Sequence, residues 1–126
     1  MINIDRATFK DEGHCGLGII VRNDKGEITG ALSKRIRFPL RALEAEAKAA
    51  ECGLIFVWEL GLGEVIIEGD SQMVIHALST EQPAPLSIQQ LISGTKKWLP
   101  NFRSWKARFA RRDCNKAAHL MARHAK

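Results

Sequence analysis

Glu64-Val65-Ile66-Ile67-Glu68-Gly69-Asp70-Ser71-Gln72 is the stretch on which the reading of this chain turns. At its centre, Val65-Ile66-Ile67 is a short apolar run of the sort buried on both faces of a sheet. Ser71 sits where a helix can start, with Val74 and Leu78 one turn apart. Asp70 therefore falls at the carboxyl end of a strand, just before a helix. Two readings are open for it. It is an ordinary turn and helix-cap acid, or it is a ligand at the strand edge where α/β sheets collect their sites.

Upstream, Leu43, Ala47, Ala50, Leu54 and Val57 recur at helical spacing, and Gly61 and Gly63 end the run. Further back the period changes to that of strands, over residues 2 to 9, 15 to 22 and 28 to 36. Asn23-Asp24-Lys25-Gly26 supplies a turn between the last two. Downstream, Pro83 and Pro85 break the chain. Ile88, Leu91, Ile92, Thr95 and Leu99 then mark a third helix closed by Pro100. Arg103 to Phe109 reads as a last strand and residues 114 to 125 as a final helix. The order β-β-β-α-β-α-α-β-α predicts an α/β fold with a mixed five-stranded sheet. Its first three strands form an antiparallel meander, the last two are parallel, and helices flank the sheet.

The 126 residues, 45% of them hydrophobic, suit one domain over 1–126 with a real core. No run of about 18 apolar residues exists to span a membrane. Met1 leads directly into Ile2-Asn3-Ile4-Asp5, without the basic start and apolar run of a signal peptide. That abrupt start suggests an excised domain. Cys15, Cys52 and Cys114 are scattered and form no CxxC pair, so neither a disulfide framework nor a zinc site is expected. A reducing intracellular setting is, with nucleus and cytoplasm both open. Charge is uneven. Residues 82 to 126 hold ten Lys or Arg against one acid, Asp113, a balance of +9; residues 1 to 81 hold nine against thirteen, a balance of −4. A basic half attracts polyanions and an acidic half attracts cations.

Two further acids join Asp70. Alternation places Ile2 and Ile4 on one face of the first strand and Asn3 and Asp5 on the other, where Asp5 meets either water or a site. Glu46 lies roughly 60° from Leu43 around the helix, on the flank of the apolar stripe, where solvated glutamates are common. Taken jointly, the three sit on elements that this topology can bring together. Clustered carboxylates repel unless a cation neutralises them, and their hard oxygens suit Mg²⁺. Two such ions clamp the attacking and leaving oxygens of a phosphodiester.

Over nearly its whole length the chain resembles the ribonuclease H family, and within it the plant reverse-transcriptase-like branch found in retroelement-derived proteins. The marks are Ile2-Asn3-Ile4-Asp5, Ala45-Glu46-Ala47 with Gly53-Leu54, and Ile67-Glu68-Gly69-Asp70-Ser71-Gln72. The last is Arg112-Asp113-Cys114-Asn115-Lys116-Ala117-Ala118-His119 before Leu120 and Ala122. The resemblance implies a catalytic site of Asp5, Glu46, Asp70 and His119, with the three acids binding two Mg²⁺ ions, or Mn²⁺ in their place. It implies endonucleolytic hydrolysis of the RNA strand of RNA–DNA hybrids. Arg6, Ser71, Gln72, Arg111, Arg112 and Asn115 are the expected nucleic-acid contacts, with Gln72 at a position that meets the hybrid's minor groove. A monomer is expected, with no small-molecule cofactor and no membrane partner.

Three positions depart from the family pattern. Arg6 stands where Gly usually follows the first acid, His119 where the fourth acid falls, and Phe109 near a mobile histidine of bacterial relatives. His119 suits Mg²⁺ less well than a carboxylate does. The alternative function is therefore a degenerate domain of the same fold that binds nucleic acid or a partner without cutting. Trp98 and Trp105, interleaved with the basic residues, read as core rather than stacking platforms. His14 and His76 read as surface or turn residues, and His124 as a chain-end residue.

Overall fold

Apolar alternation in the first third of the chain produces three antiparallel strands, each 8 or 9 residues long: β1 (Ile2–Phe9), β2 (His14–Arg22) and β3 (Ile28–Ile36). The structure is a computed structural model that describes residues 2–9, 14–36 and 42–110; for 2–9, 14, 15, 36 and 42 it describes the backbone alone. The expected final helix over 114 to 125 lies outside the described residues. β1 pairs with β2 from Ile2↔Val21 to Phe9↔His14. β2 pairs with β3 from Cys15↔Ile36 to Val21↔Gly30, and a one-residue shift follows at Arg22.

The turn that joins β2 to β3 is satisfied by its own residues. The Asn23 N–H donates to the Glu27 carbonyl at 2.9 Å, and the Gly26 N–H donates to the Asn23 carbonyl at 3.0 Å. Asn23 Oδ1 accepts from the Lys25 and Glu27 N–H groups at 2.9 and 3.0 Å. Gly26 takes φ +81°, a left-handed conformation in which a Cβ is crowded.

Helix α1 (Ala42–Glu59) buries the predicted stripe Ala47, Ala50, Leu54 and Val57, and a second stripe of Ala45, Ala49 and Cys52. Small residues on that second stripe let the helix lie close to its neighbours, packed against β1 and β2 as well as a later helix, α3 (Gln89–Trp98). The helix ends in a glycine cap. The Gly61 N–H donates to the Trp58 carbonyl at 2.9 Å and the Leu62 N–H to the Val57 carbonyl at 3.3 Å, with Gly61 at φ +79°.

β4 (Glu64–Gly69) returns parallel to β1, with Ile2↔Ile67 and Asn3↔Glu68 in register. β5 (Ser104–Phe109) runs parallel to β4 from Glu64↔Ser104 to Gly69↔Phe109. The sheet order is β3-β2-β1-β4-β5. Between β4 and β5 come α2 (Gln72–Ser79) and α3, the latter flanked by short 3₁₀ turns at Leu86–Ile88 and Leu99–Asn101. Pro85 precedes the first turn and Pro100 lies in the second, as the helix-breaking role of proline requires. The core joins Leu17, Ile19 and Val21 of β2 to Leu54, Ile67, Leu78, Ile88 and Ile92. Trp98 packs against this core. Trp105 corrects the sequence expectation: on edge strand β5 it has one covered side only and is 39% exposed. Among the described residues no helix is long and apolar enough to cross a membrane.

Candidate functional site

Strand register decides where the acids go. Asn3 is the last residue of β1 in register with β4, opposite Glu68, and two residues further along the two chains come Asp5 and Asp70. Asp70 is the first residue beyond β4, at the carboxyl edge, and is partly buried. On the other side of β1, Asp5 pairs with Gly18 and Ala7 with Gly16, so β2 places no side chain beside Asp5.

The third acid arrives through helix placement. β3 ends at Ile36, level with Cys15 and hence with Thr8, near the carboxyl end of β1. The chain re-enters at Ala42, and α1 runs back to the opposite edge, where β4 starts. Its first turns therefore lie at the carboxyl edge. Glu46, one turn in, is 3% exposed. The flank position inferred from helical spacing is thus enclosed, because the alanine stripe beside it packs as closely as the predicted one.

Three acids on three elements reach one edge as backbone positions. Among the described side chains no group of three His, Cys, Asp or Glu is assembled to hold a metal ion. Two of the expected members, the Asp5 side chain and His119, lie outside that description. The donor chemistry of Asp5, Glu46 and Asp70 fits a hard divalent cation: three carboxylates and no thiolate. Cys52 adds no nucleophile on α1, because burial pushes its thiol pKa up. Lys48 has its pKa raised by a 2.8 Å hydrogen-bonded ion pair to Glu51.

Ser71 caps α2: its Oγ accepts from the Val74 N–H at 3.3 Å. Gln72, the first residue of α2, is exposed, two residues from Asp70. Arg6 pairs in backbone register with Leu17. Arg111, Arg112 and Asn115, like His119, lie outside the described residues. The last described residue, Ala110, donates its N–H to the Gly69 carbonyl at 2.9 Å. His76 is exposed, with its ring 3.2 Å from the Gln82 side chain.

The ion pair between Glu68 and Arg108 escaped the sequence reading. Glu68 Oε2 meets Arg108 Nε across β4 and β5, two residues before Asp70. Glu68 carried a signal, as an acid directly after the apolar run Val65-Ile66-Ile67, but its partner depends on a register that spacing does not give.

The sequence matches the family described as reverse transcriptase-like over residues 3–125. No curated protein sequence matches significantly. Among solved structures the fold is similar to RNase H1 from the halophilic archaeon Halobacterium salinarum NRC-1, at TM-score 0.85 and 22% identity over 98% of this chain and 94% of that one. It is similar to the N-terminal RNase H domain of rv2228c from Mycobacterium tuberculosis, at TM-score 0.88 and 21% identity over 98% and 90%. It is also similar to LC11-RNase H1 in complex with an RNA/DNA hybrid, at TM-score 0.84 and 17% identity over 98% and 94%. The chain therefore belongs to the reverse transcriptase-like family and carries the ribonuclease H-like α/β fold.

Proposed function

We propose that this chain is a metal-dependent endoribonuclease that hydrolyses the RNA strand of RNA–DNA hybrids. The observation that supports the reading is the parallel β1–β4 register, Asn3 opposite Glu68, two residues before Asp5 and Asp70, together with the burial of Glu46 near the start of α1. Family membership and the fold shared with an RNase H1 bound to a hybrid support it. Asp5, Glu46 and Asp70 would hold two Mg²⁺ ions, with Mn²⁺ as a substitute. Bound there, the ions supply a Lewis acid and stabilise the attacking and leaving oxygens of the scissile phosphate.

The chain's own residues do the rest. The carboxylates fix the site on one strand, one strand end and one helix, all held by the core. Ser71 holds the start of α2 and so presents Gln72 to the groove of the duplex, where 2′-hydroxyls distinguish RNA from DNA. Arg111 and Arg112 would contact phosphate, with Arg6 and Asn115 as further contacts. Their charges make affinity fall with salt.

His119 favours a second reading, a domain that binds hybrids without turnover, because a neutral imidazole replaces the fourth acid. Labelled RNA–DNA hybrid, duplex DNA and single-stranded RNA, each incubated with Mg²⁺ or Mn²⁺ and with EDTA, separate the two. Hybrid-selective cutting that EDTA stops supports the nuclease. Salt-sensitive hybrid binding without cutting at any metal concentration supports the second reading and overturns the first.

A further inference from the structure

Beside the candidate acids, one step back along the sheet, runs a row of three residues in register: Asn3 of β1, Glu68 of β4 and Arg108 of β5. The Glu68 side chain is 13% exposed and that of Arg108 47%, and the two form an ion pair. One step forward along the same strands come Asp5 and Asp70. Two residues of extended chain separate the rows by roughly 6.6 Å. A fourth carboxylate two residues back along the strand would add a negative charge beside the proposed three-acid site. The guanidinium of Arg108 cancels that charge where it arises.

We propose that Glu68 and Arg108 are a charge-balancing pair that sets how tightly the acid edge holds a divalent cation. Arg108 is a positioning residue in this account: it keeps Glu68 out of the donor set and leaves the cation to Asp5, Glu46 and Asp70. The inference rests on the reading of those three acids as a metal site. It assigns β5 a part in that site through the ion pair of Arg108 with Glu68.

The charge arithmetic makes the test directional. Arg108→Ala leaves one extra negative charge beside the site, Glu68→Gln leaves one extra positive charge, and the double variant leaves none. Mn²⁺ alone, without nucleic acid, is titrated into each folded protein and followed by calorimetry or by the electron paramagnetic resonance of free Mn²⁺. A unit charge near a divalent ion at a partly exposed site changes affinity by about threefold to tenfold, less at high ionic strength. Arg108→Ala is expected to bind Mn²⁺ more tightly by that factor and Glu68→Gln more weakly. The double variant and Arg108→Lys are expected to bind as the wild type does. A merely structural pair moves thermal stability in the single variants but does not shift Mn²⁺ affinity in opposite directions. If the wild type binds Mn²⁺, Asp70→Asn loses it, and the two single variants do not diverge, the charge-balancing role is overturned while the metal site stands. If the wild type binds no Mn²⁺, the site reading falls, and this inference with it.

Discussion

The two edges of the sheet are built on opposite principles. At the edge where β1, β4 and β5 begin, two turns are closed by their own hydrogen bonds. Asn23 and Gly26 satisfy the β2–β3 turn, and Gly61 caps α1 with paired hydrogen bonds. Apolar side chains are left in solvent there, with Ile28 54%, Leu60 45% and Trp58 44% exposed. The opposite edge is where the proposed site falls, with partly buried Asp70 just beyond β4, buried Glu46 near the start of α1 and exposed Gln72. One edge is optimised for chain reversal. The other accumulates like charge, which costs stability and is retained only where a cation or substrate uses it. Stability and activity should therefore separate by edge.

Substitutions test that separation. The largest effect is expected from Glu46→Gln, which keeps side-chain size but removes a charged donor: hybrid cleavage should fall by at least about 100-fold. Its urea unfolding midpoint should be no lower than that of the wild type, and rise if like charge at this edge costs stability. A loss of cleavage explained by unfolding would break the comparison. Next comes Gly61→Ala at the other edge. A Cβ in the left-handed conformation costs about 1 kcal/mol, which lowers Tm by roughly 3–6 °C in a domain of this size. The rate of hybrid cleavage at 25 °C should be unchanged. Ser71→Ala sharpens the contrast, because Ser71 caps a helix at the acid edge. Loss of the cap costs about 1 kcal/mol, and KM for the hybrid should rise about threefold as α2 no longer presents Gln72 firmly. An unaltered KM would confine Ser71 to capping.

Most of the strand and helix order was legible because each segment carries its own period. Alternation marked β1 to β3, the run Val65-Ile66-Ile67 marked β4, and the 43/47/50/54/57 spacing marked α1. Sheet order was less accessible. That β4 inserts between β1 and β5 is a long-range choice, and it is what sets Glu68 beside Asn3 and Arg108. The burial of Glu46 was hidden for a related reason. Ala45 and Ala49 are too small to read as a strong apolar stripe, yet their smallness lets α1 pack closely. Trp105 misled in the other direction, since an aromatic in a strand reads as core until the strand is known to lie at an edge.

The measurement that tests the central claim most directly is cleavage of a labelled RNA–DNA hybrid by wild type and Asp70→Asn side by side, with Mg²⁺ or Mn²⁺ and an EDTA control. The account predicts metal-dependent cutting by the wild type and none by the variant, with both proteins equally folded. Cutting by Asp70→Asn at the wild-type rate would contradict it and remove the carboxyl edge as the active site.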